Sequence, residues 1–244
     1  MDFNSFSEEM KANLSALSLD LSAEQIRDFY DFMNLLIEKN KVMNLTGITE
    51  PKEVILKHFI DSLTVLKYIN ENDSIIDVGT GAGFPGIPLK IAKKSLEITL
   101  LDSLNKRINF LNEVIENISL DKIKTIHGRA EDFGQNAEHR EKYDVAVSRA
   151  VASLNILLEY MLPFVKVGGK CICMKGSNCD EEIENAKKAI EILGGKIERI
   201  EKFNLPNSDN NRTILVIKKL KKTDRQYPRK AGIPTKNPFK KFAK

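Results

Sequence analysis

The chain has 244 residues, 42% of them hydrophobic and 30% charged, with a formal net charge of +4. That apolar content is enough to bury a sizeable core in one main domain without disulfide or metal staples, and no apolar run approaches the roughly 20 residues of a membrane span. The segment Met1 to Glu9 has neither a basic nor an apolar signal region, so the expected location is the cytoplasm.

In chain order, Ser22-x-x-Gln25 predicts a capping box that opens a helix in which Ile26, Phe29, Tyr30, Met33, Leu36 and Ile37 recur at helical spacing. Pro51 begins a second helix holding Val54, Ile55, His58, Phe59 and Leu63. These faces need something to cover, and packing on a sheet is the first expectation for a helical cap over residues 1–70. A cap beside the mouth of a site can also border a substrate groove.

From Ile75 to Pro88 an apolar strand runs into Asp77 and then a loop carrying Gly79, Gly81, Gly83 and Gly86. Closely spaced glycines turn the backbone tightly and admit a ligand where Cβ atoms would block it. Pro85 falls where a first helical turn begins. Gly81-x-Gly83-x-x-Gly86 also satisfies a dinucleotide pattern, and Asp102 follows at about the distance of a carboxylate that binds ribose hydroxyls. Spacing alone does not decide between ligands. In a dinucleotide site the loop amides face a pyrophosphate, which a strand-end carboxylate such as Asp77 repels. Asp77 therefore points to a cationic ligand, and S-adenosylmethionine carries both an ammonium and a sulfonium. Glycines that only make a tight strand-to-helix turn are the plainer alternative.

Alternation continues through a helix from Ile87 to Lys94, a strand from Glu97 to Asp102, and a helix from Asn105 to Ile118 with Ile108, Leu111, Val114, Ile115 and Ile118 on one face. Ile123 to His127, Tyr143 to Val147 and Lys170 to Met174 read as further strands, with helices at Ser153 to Val165 and Asp180 to Leu193, the latter ended by Gly194-Gly195. Cys171 and Cys173 point to one strand face and, with Cys179, read as core residues without chemistry. Such βαβ repetition predicts a parallel sheet. The strands Lys196 to Leu205 and Thr213 to Leu220 follow with no helix between them, so a hairpin closes a seven-stranded, mostly parallel sheet with an antiparallel last strand over residues 71–220.

Lys218 to Lys244 holds eleven Lys or Arg against one acid, Asp224, so the charge is segregated at this end. The tail, residues 221–244, sets Tyr227, Phe239 and Phe242 beside Arg225, Arg229 and Lys230. Such a segment can neutralise phosphates and stack on bases. A solvated end that keeps the protein soluble is the alternative.

Several of these stretches form a set. Asn44-Leu-Thr-Gly-Ile-Thr49, His58-x-x-Asp61-Ser-Leu63, Asp77 through Pro88, Asp102-Ser-x-x-Lys106-Arg107-x-x-Phe110-Leu111, Arg129-Ala-Glu131, Ser148 through Ala152, Met174-Lys-Gly176 and Tyr227-Pro-Arg-x-x-Gly-x-Pro234, in this order, resemble the bacterial small-subunit ribosomal RNA methyltransferase G family. The resemblance spans most of the chain and implies an α/β, Rossmann-like class I S-adenosylmethionine-dependent methyltransferase. It further implies methyl transfer to N7 of one guanine in 16S rRNA. The expected partner is 16S rRNA or an assembling small subunit, and a monomer with no metal and no membrane association is the separate expectation. Carried over by residue, it makes Gly79 and Phe84 cofactor contacts, sets Ala130 and Glu131 near the adenosine, and places Arg149 on the methionine side.

Guanine N7 has a free lone pair and no proton to lose, so no general base is expected. Binding that holds nitrogen, methyl carbon and sulfur in line is the main contribution a protein can make. His58 and Asp61, three apart on a predicted helix, are expected to make a helix-to-sheet hydrogen bond, and His127 and His139 receive no role. Rivals remain: a nicotinamide-dependent oxidoreductase, supported only by the glycine spacing; a ribosome-assembly binder with a vestigial pocket; and a methyltransferase acting on another RNA or on a small molecule, the last disfavoured by the basic tail.

Overall fold

The computed structural model describes residues 1–149, 152–177 and 179–239. Its centre is a seven-stranded sheet in the order β3-β2-β1-β4-β5-β7-β6, built from β1 (Ser74–Val78), β2 (Glu97–Asp102), β3 (Ile123–His127), β4 (Tyr143–Arg149), β5 (Val165–Lys175), β6 (Gly195–Asn204) and β7 (Asn211–Lys219). The first five strands run parallel, and β7 inserts antiparallel between β5 and β6. The hairpin expected from the missing helix thus delivers its second strand, the more apolar one, to the interior position. Thr213 to Ile217 are buried there, whereas β6 alternates as an edge strand does.

Adjacent residues of the central strands enter opposite layers, because side chains alternate across a strand. Ile75, Leu100, Val145 and Val147 pack toward the amino-terminal helices, α5 (Gly86–Ala92) and α6 (Asn105–Asn117). Ile76, Leu101, Ala146, Cys171 and Cys173 pack toward α8 (Leu154–Met161) and α9 (Asp180–Ile192). The Cys173 thiol lies 3.7 Å from the Met161 sulfur and burial pushes it up to about 12, so it is an inert core group.

The amino-terminal layer contains a helix the periodicity did not reveal, α1 (Phe3–Ala16), whose Phe6, Met10 and Leu14 are buried. In α2 (Ala23–Met43) the expected capping box forms at Ser22 and Gln25. The same Gln25 amide donates to Ile91 O at 2.8 Å and Ala92 O at 3.0 Å, which ties the cap to the end of α5. The helix expected from Pro51 is interrupted: α3 (Pro51–Val54) passes into a π turn at Ile55–Ile60 and then α4 (Asp61–Leu63). That wider turn presents Lys57 O to Arg149, 2.9 Å away, so the irregularity coincides with a tertiary contact. The helix predicted over 153–165 stops early because Pro163 enters a short 3₁₀ turn before β5.

After β7 the chain folds back as far as Phe239. Arg140 donates to Thr223 O and Tyr227 O at 2.7 Å, and Gln135 to Pro228 O at 2.8 Å. The short helix α10 (Ile233–Lys236) contacts α8, with Thr235 and Tyr160 sharing a hydrogen bond of 3.1 Å. Phe242, one of the expected stacking rings, lies outside the described residues. Among the described residues no helix is long and apolar enough to cross a membrane.

Candidate functional site

Strand order reverses between β1 and β4, and the cleft outside the carboxyl ends of those strands is where an open α/β sheet binds ligands. The glycine loop crosses this edge. Gly79 N and Thr80 N donate to Leu101 O at 2.8 and 3.1 Å, which staples the loop to β2. Gly81 N donates to the buried Asp102 carboxylate at 2.9 Å, and Leu104 N and Arg107 Nη1 donate to the same group at 2.9 and 3.2 Å.

Asp77 lies beneath the loop, fully buried. Its Oδ2 accepts from Thr80 Oγ1 at 2.7 Å and Gly86 N at 2.9 Å, while Oδ1 is buried with no partner. Burial pushes the acid up to about 7, against the lowering effect of those two donors and of Arg149. The carboxylate is first of all a brace that sets loop shape.

Two lobes meet at Gly79, Asp102 and Ser103. The larger, about 410 Å³, is lined by Leu45, Thr46, His58, Thr80, Gly81, Ala82, Phe84, Arg107 and Arg149 in addition to the shared residues. The smaller, about 190 Å³, adds Val78, Leu101, Gly128, Arg129, Ala130, Glu131 and Tyr160. Ala130 and Glu131 open α7 (Ala130–Phe133), immediately past β3. Glu131 Oε1 accepts from Gly232 N at 3.1 Å, so the carboxy-terminal segment closes the wall of this lobe.

At the far end of the larger lobe, Arg149 donates to Lys57 O at 2.9 Å, Asp61 Oδ2 at 3.3 Å and His58 Nδ1 at 3.1 Å, and its guanidinium lies 4.9 Å from the Phe84 ring centre. Because Nδ1 accepts from Arg149, the imidazole carries its hydrogen on Nε2 and donates to Thr46 Oγ1 at 2.8 Å. Burial, with the Arg149 charge adding to it, pushes His58 down to about 3. The neutral ring stacks on Phe84 at 4.4 Å between centres.

Of the residues singled out in the sequence, Gly79, Gly81, Phe84, Asp102 and Arg149 line the larger lobe and Ala130 and Glu131 the smaller. Asp77 lines neither, and Gly83 packs inward, where a Cβ would come within 2.6 Å of Ile87. Thr46, Arg107 and Tyr160 also line the cleft and were not singled out. The expected bond from His58 to the sheet exists, through Arg149 of β4. In the tail, Arg225 and Lys230 are exposed, but Arg229 gives Nε and Nη2 to the fully buried Glu159 at 2.8 and 2.6 Å. Of the three tail cations expected to face phosphate, Arg229 thus has its guanidinium paired within the protein.

The loop chemistry discriminates between ligands. The N–H groups of Gly79, Thr80, Gly81, Gly83, Phe84 and Gly86 all have partners within the protein, so the loop has no row of free donors for a pyrophosphate. It offers instead the Asp102 carboxylate at the waist and the unpartnered oxygen of Asp77 behind it. Two joined lobes with the Asp102 carboxylate at their junction fit a nucleoside bearing a cationic tail.

A sequence model of the family described as rRNA small subunit methyltransferase G matches residues 25–214. Ribosomal RNA small subunit methyltransferase G of Acetivibrio thermocellus is 57% identical over 226 residues, covering 92% of this chain and 93% of that protein. The protein of the same name from Desulforamulus reducens is 54% identical over 232 residues, covering 94% and 97%. Among solved structures, the fold is similar to precorrin-6y C5,15-methyltransferase of Geobacter metallireducens, with TM-score 0.52, 13% identity and coverage of 73% of this chain and 92% of that one. It is similar also to M. capricolum TrmK in complex with S-adenosyl-homocysteine, with TM-score 0.52, 21% identity and coverage of 67% and 69%.

Proposed function

The chain belongs to the rRNA small subunit methyltransferase G family, and on that premise we propose that it transfers a methyl group from S-adenosylmethionine to N7 of one guanine in 16S rRNA. The observation that carries the donor half is the loop in which six amides are satisfied internally while the Asp102 carboxylate lines the cleft and Asp77 lies buried behind it. In this reading Asp102 receives the ribose hydroxyls, and Ala130 and Glu131 border the adenine. Gly79, Phe84 and Arg149 surround the methionine end, with Asp77 supplying negative charge from below.

When bound, S-adenosylmethionine supplies a sulfonium methyl that guanine N7 takes up with its lone pair, and no proton leaves the base. The protein therefore has to bind and orient. Phe84 and the neutral His58 ring give the larger lobe an apolar wall that keeps water from the reacting atoms. Arg149, held by Lys57 O and Asp61, fixes the position of that wall. Arg225 and Lys230 are free to meet RNA phosphates.

His58 stays neutral and takes up no proton near neutral pH. His58→Phe is thus expected to preserve the shape of the pH profile of single-turnover methyl transfer, measured by rapid quench, whatever happens to its height. Disappearance of an ionisation from that profile would show that the imidazole acts as a base.

Asp77 predicts a pH effect on binding. Its carboxylate is protonated below about pH 7 and charged above it, and only the charged form attracts a cation. Affinity for S-adenosylmethionine in calorimetry should rise with pH through about 7 and level off. In Asp77→Asn that rise should vanish. The same raised pKa makes folding without cofactor less favourable as pH climbs from the unfolded value of 3.8 toward 7, because the native state then holds the proton that the unfolded chain has released.

The acceptor half is tested by incubating small subunits or 16S rRNA from a strain lacking the gene with tritiated donor and mapping the product by mass spectrometry. One N7-methylguanine supports the proposal. Label on another atom or nucleotide, or none, overturns it.

A further inference from the structure

We propose that a third cavity, adjoining the cofactor cleft at His58 and Arg149, is the subsite for the acceptor base, in which Asp61 reads the Watson–Crick edge of a guanine extruded from the RNA. The inference rests on the guanine acceptor proposed above and adds to it a location and a specificity residue.

The cavity has a volume of about 340 Å³, and Ile48 and Met174 give it apolar walls suited to a flat ring. Lys57, whose ammonium pairs with Glu53, and Arg212, whose Nε is held by Asp61, stand among its lining residues. Asp61 is buried and lines this cavity, but not either lobe of the cofactor cleft. Its Oδ1 accepts from Arg212 Nε at 3.1 Å and its Oδ2 from Arg149 Nη1 at 3.3 Å. Each carboxylate oxygen has room for a second donor, and the two guanidinium groups offset its charge within the protein.

Guanine is the one common base with two neighbouring donors, N1–H and the exocyclic amine, on its pairing edge, so it matches a carboxylate. Adenine and cytosine each present a donor beside an acceptor, and the acceptor would face Asp61 repulsively. Orientation follows from the same contact. N7 lies on a different edge of the purine from N1 and the amine, so a guanine held at Asp61 by its pairing edge leaves N7 unengaged and open to the donor. Enzymes that modify a base commonly take it out of the stack into such a pocket.

Two measurements test this. The first compares ligated 16S rRNA carrying guanosine or inosine, which lacks the exocyclic amine, at the target position. With the unmodified enzyme, kcat/KM should be ~10–100-fold lower for inosine, the range a bidentate base contact supports, and in Asp61→Asn the ratio of the two rates should approach one. The second uses Gly176, which lines the cavity, has no atom within 4 Å of a built Cβ and is not in the left-handed region. Gly176→Leu should fill the cavity and lower methyl transfer ~100-fold or more, while the melting temperature and the calorimetric affinity for S-adenosylmethionine stay unchanged. Equal use of inosine and guanosine by the unmodified enzyme, or full activity in Gly176→Leu, would overturn the subsite and leave guanine methylation standing. No transfer to either RNA would overturn the underlying reading and this one with it.

Discussion

Gly81→Leu is expected to lower affinity for S-adenosylmethionine at least ~100-fold, about 2.7 kcal/mol of binding free energy, while the protein stays folded. Gly81 has φ +62° and nothing within 4 Å of a built Cβ, and it lines the larger lobe. A side chain there carries the left-handed penalty, roughly 1–2 kcal/mol, and otherwise meets only the space a ligand would fill. Gly86, five residues on, has the opposite constraint. A Cβ at Gly86 would lie 2.3 Å from Leu100 Cδ2 and 2.9 Å from Asp77 Oδ2, so Gly86→Ala crowds the brace and the strand behind it. Overpacking of this kind costs about 1–3 kcal/mol, and a lower melting temperature is its expected signature. Calorimetry and thermal melting of both variants check the contrast. If Gly81→Leu binds the cofactor normally, the cleft described here is not its site.

Arg229→Ala is expected to detach the carboxy-terminal segment. Glu159 is fully buried and receives three donors from one residue: Arg229 N and Nε, both at 2.8 Å, and Nη2 at 2.6 Å. Removing one partner of a buried pair commonly costs 3–5 kcal/mol because a bare charge is left behind. Here the partner sits on a segment that closes the fold from outside, so undocking lets water reach Glu159 more cheaply than unfolding the sheet. Hydrogen exchange across residues 223–239 should accelerate strongly, with little change in β1 and β4. Gly232 would then leave Glu131 and Thr235 would leave Tyr160, so the smaller lobe should bind its ligand more weakly. RNA affinity should fall as well, because Arg225 and Lys230 lose their placement. A double variant, Glu159→Leu with Arg229→Leu, removes both charges and should restore protection. Unchanged exchange in Arg229→Ala would show that Arg140 and Gln135 hold the segment unaided.

Much of the architecture was legible before any coordinates. Alternating helical and strand periods, the capping box at Ser22 and Gln25, and the missing helix between the last two strands are local patterns that report on the few residues around them. The glycine loop was legible for the same reason, since a tight turn at a strand end is encoded in consecutive residues. The interruption of the Pro51 helix was not, because the π turn at Ile55–Ile60 coincides with a contact to Arg149, 92 residues away from the carbonyl it meets.

Residue types and their order by themselves determined the sheet, the loop, the acidic character of the strand ends and the resemblance that names a methyl donor. Tertiary structure alone decided which charges remain available. It placed Asp77 under the loop rather than in the cleft, joined Asp61 to Arg149 and Arg212, silenced His58 by burial, and cancelled Arg229 with a carboxylate 70 residues away. The reason is physical: backbone propensity acts over a few neighbouring residues, whereas the free energy of a charge depends on solvent access and on partners that only the folded chain brings within reach.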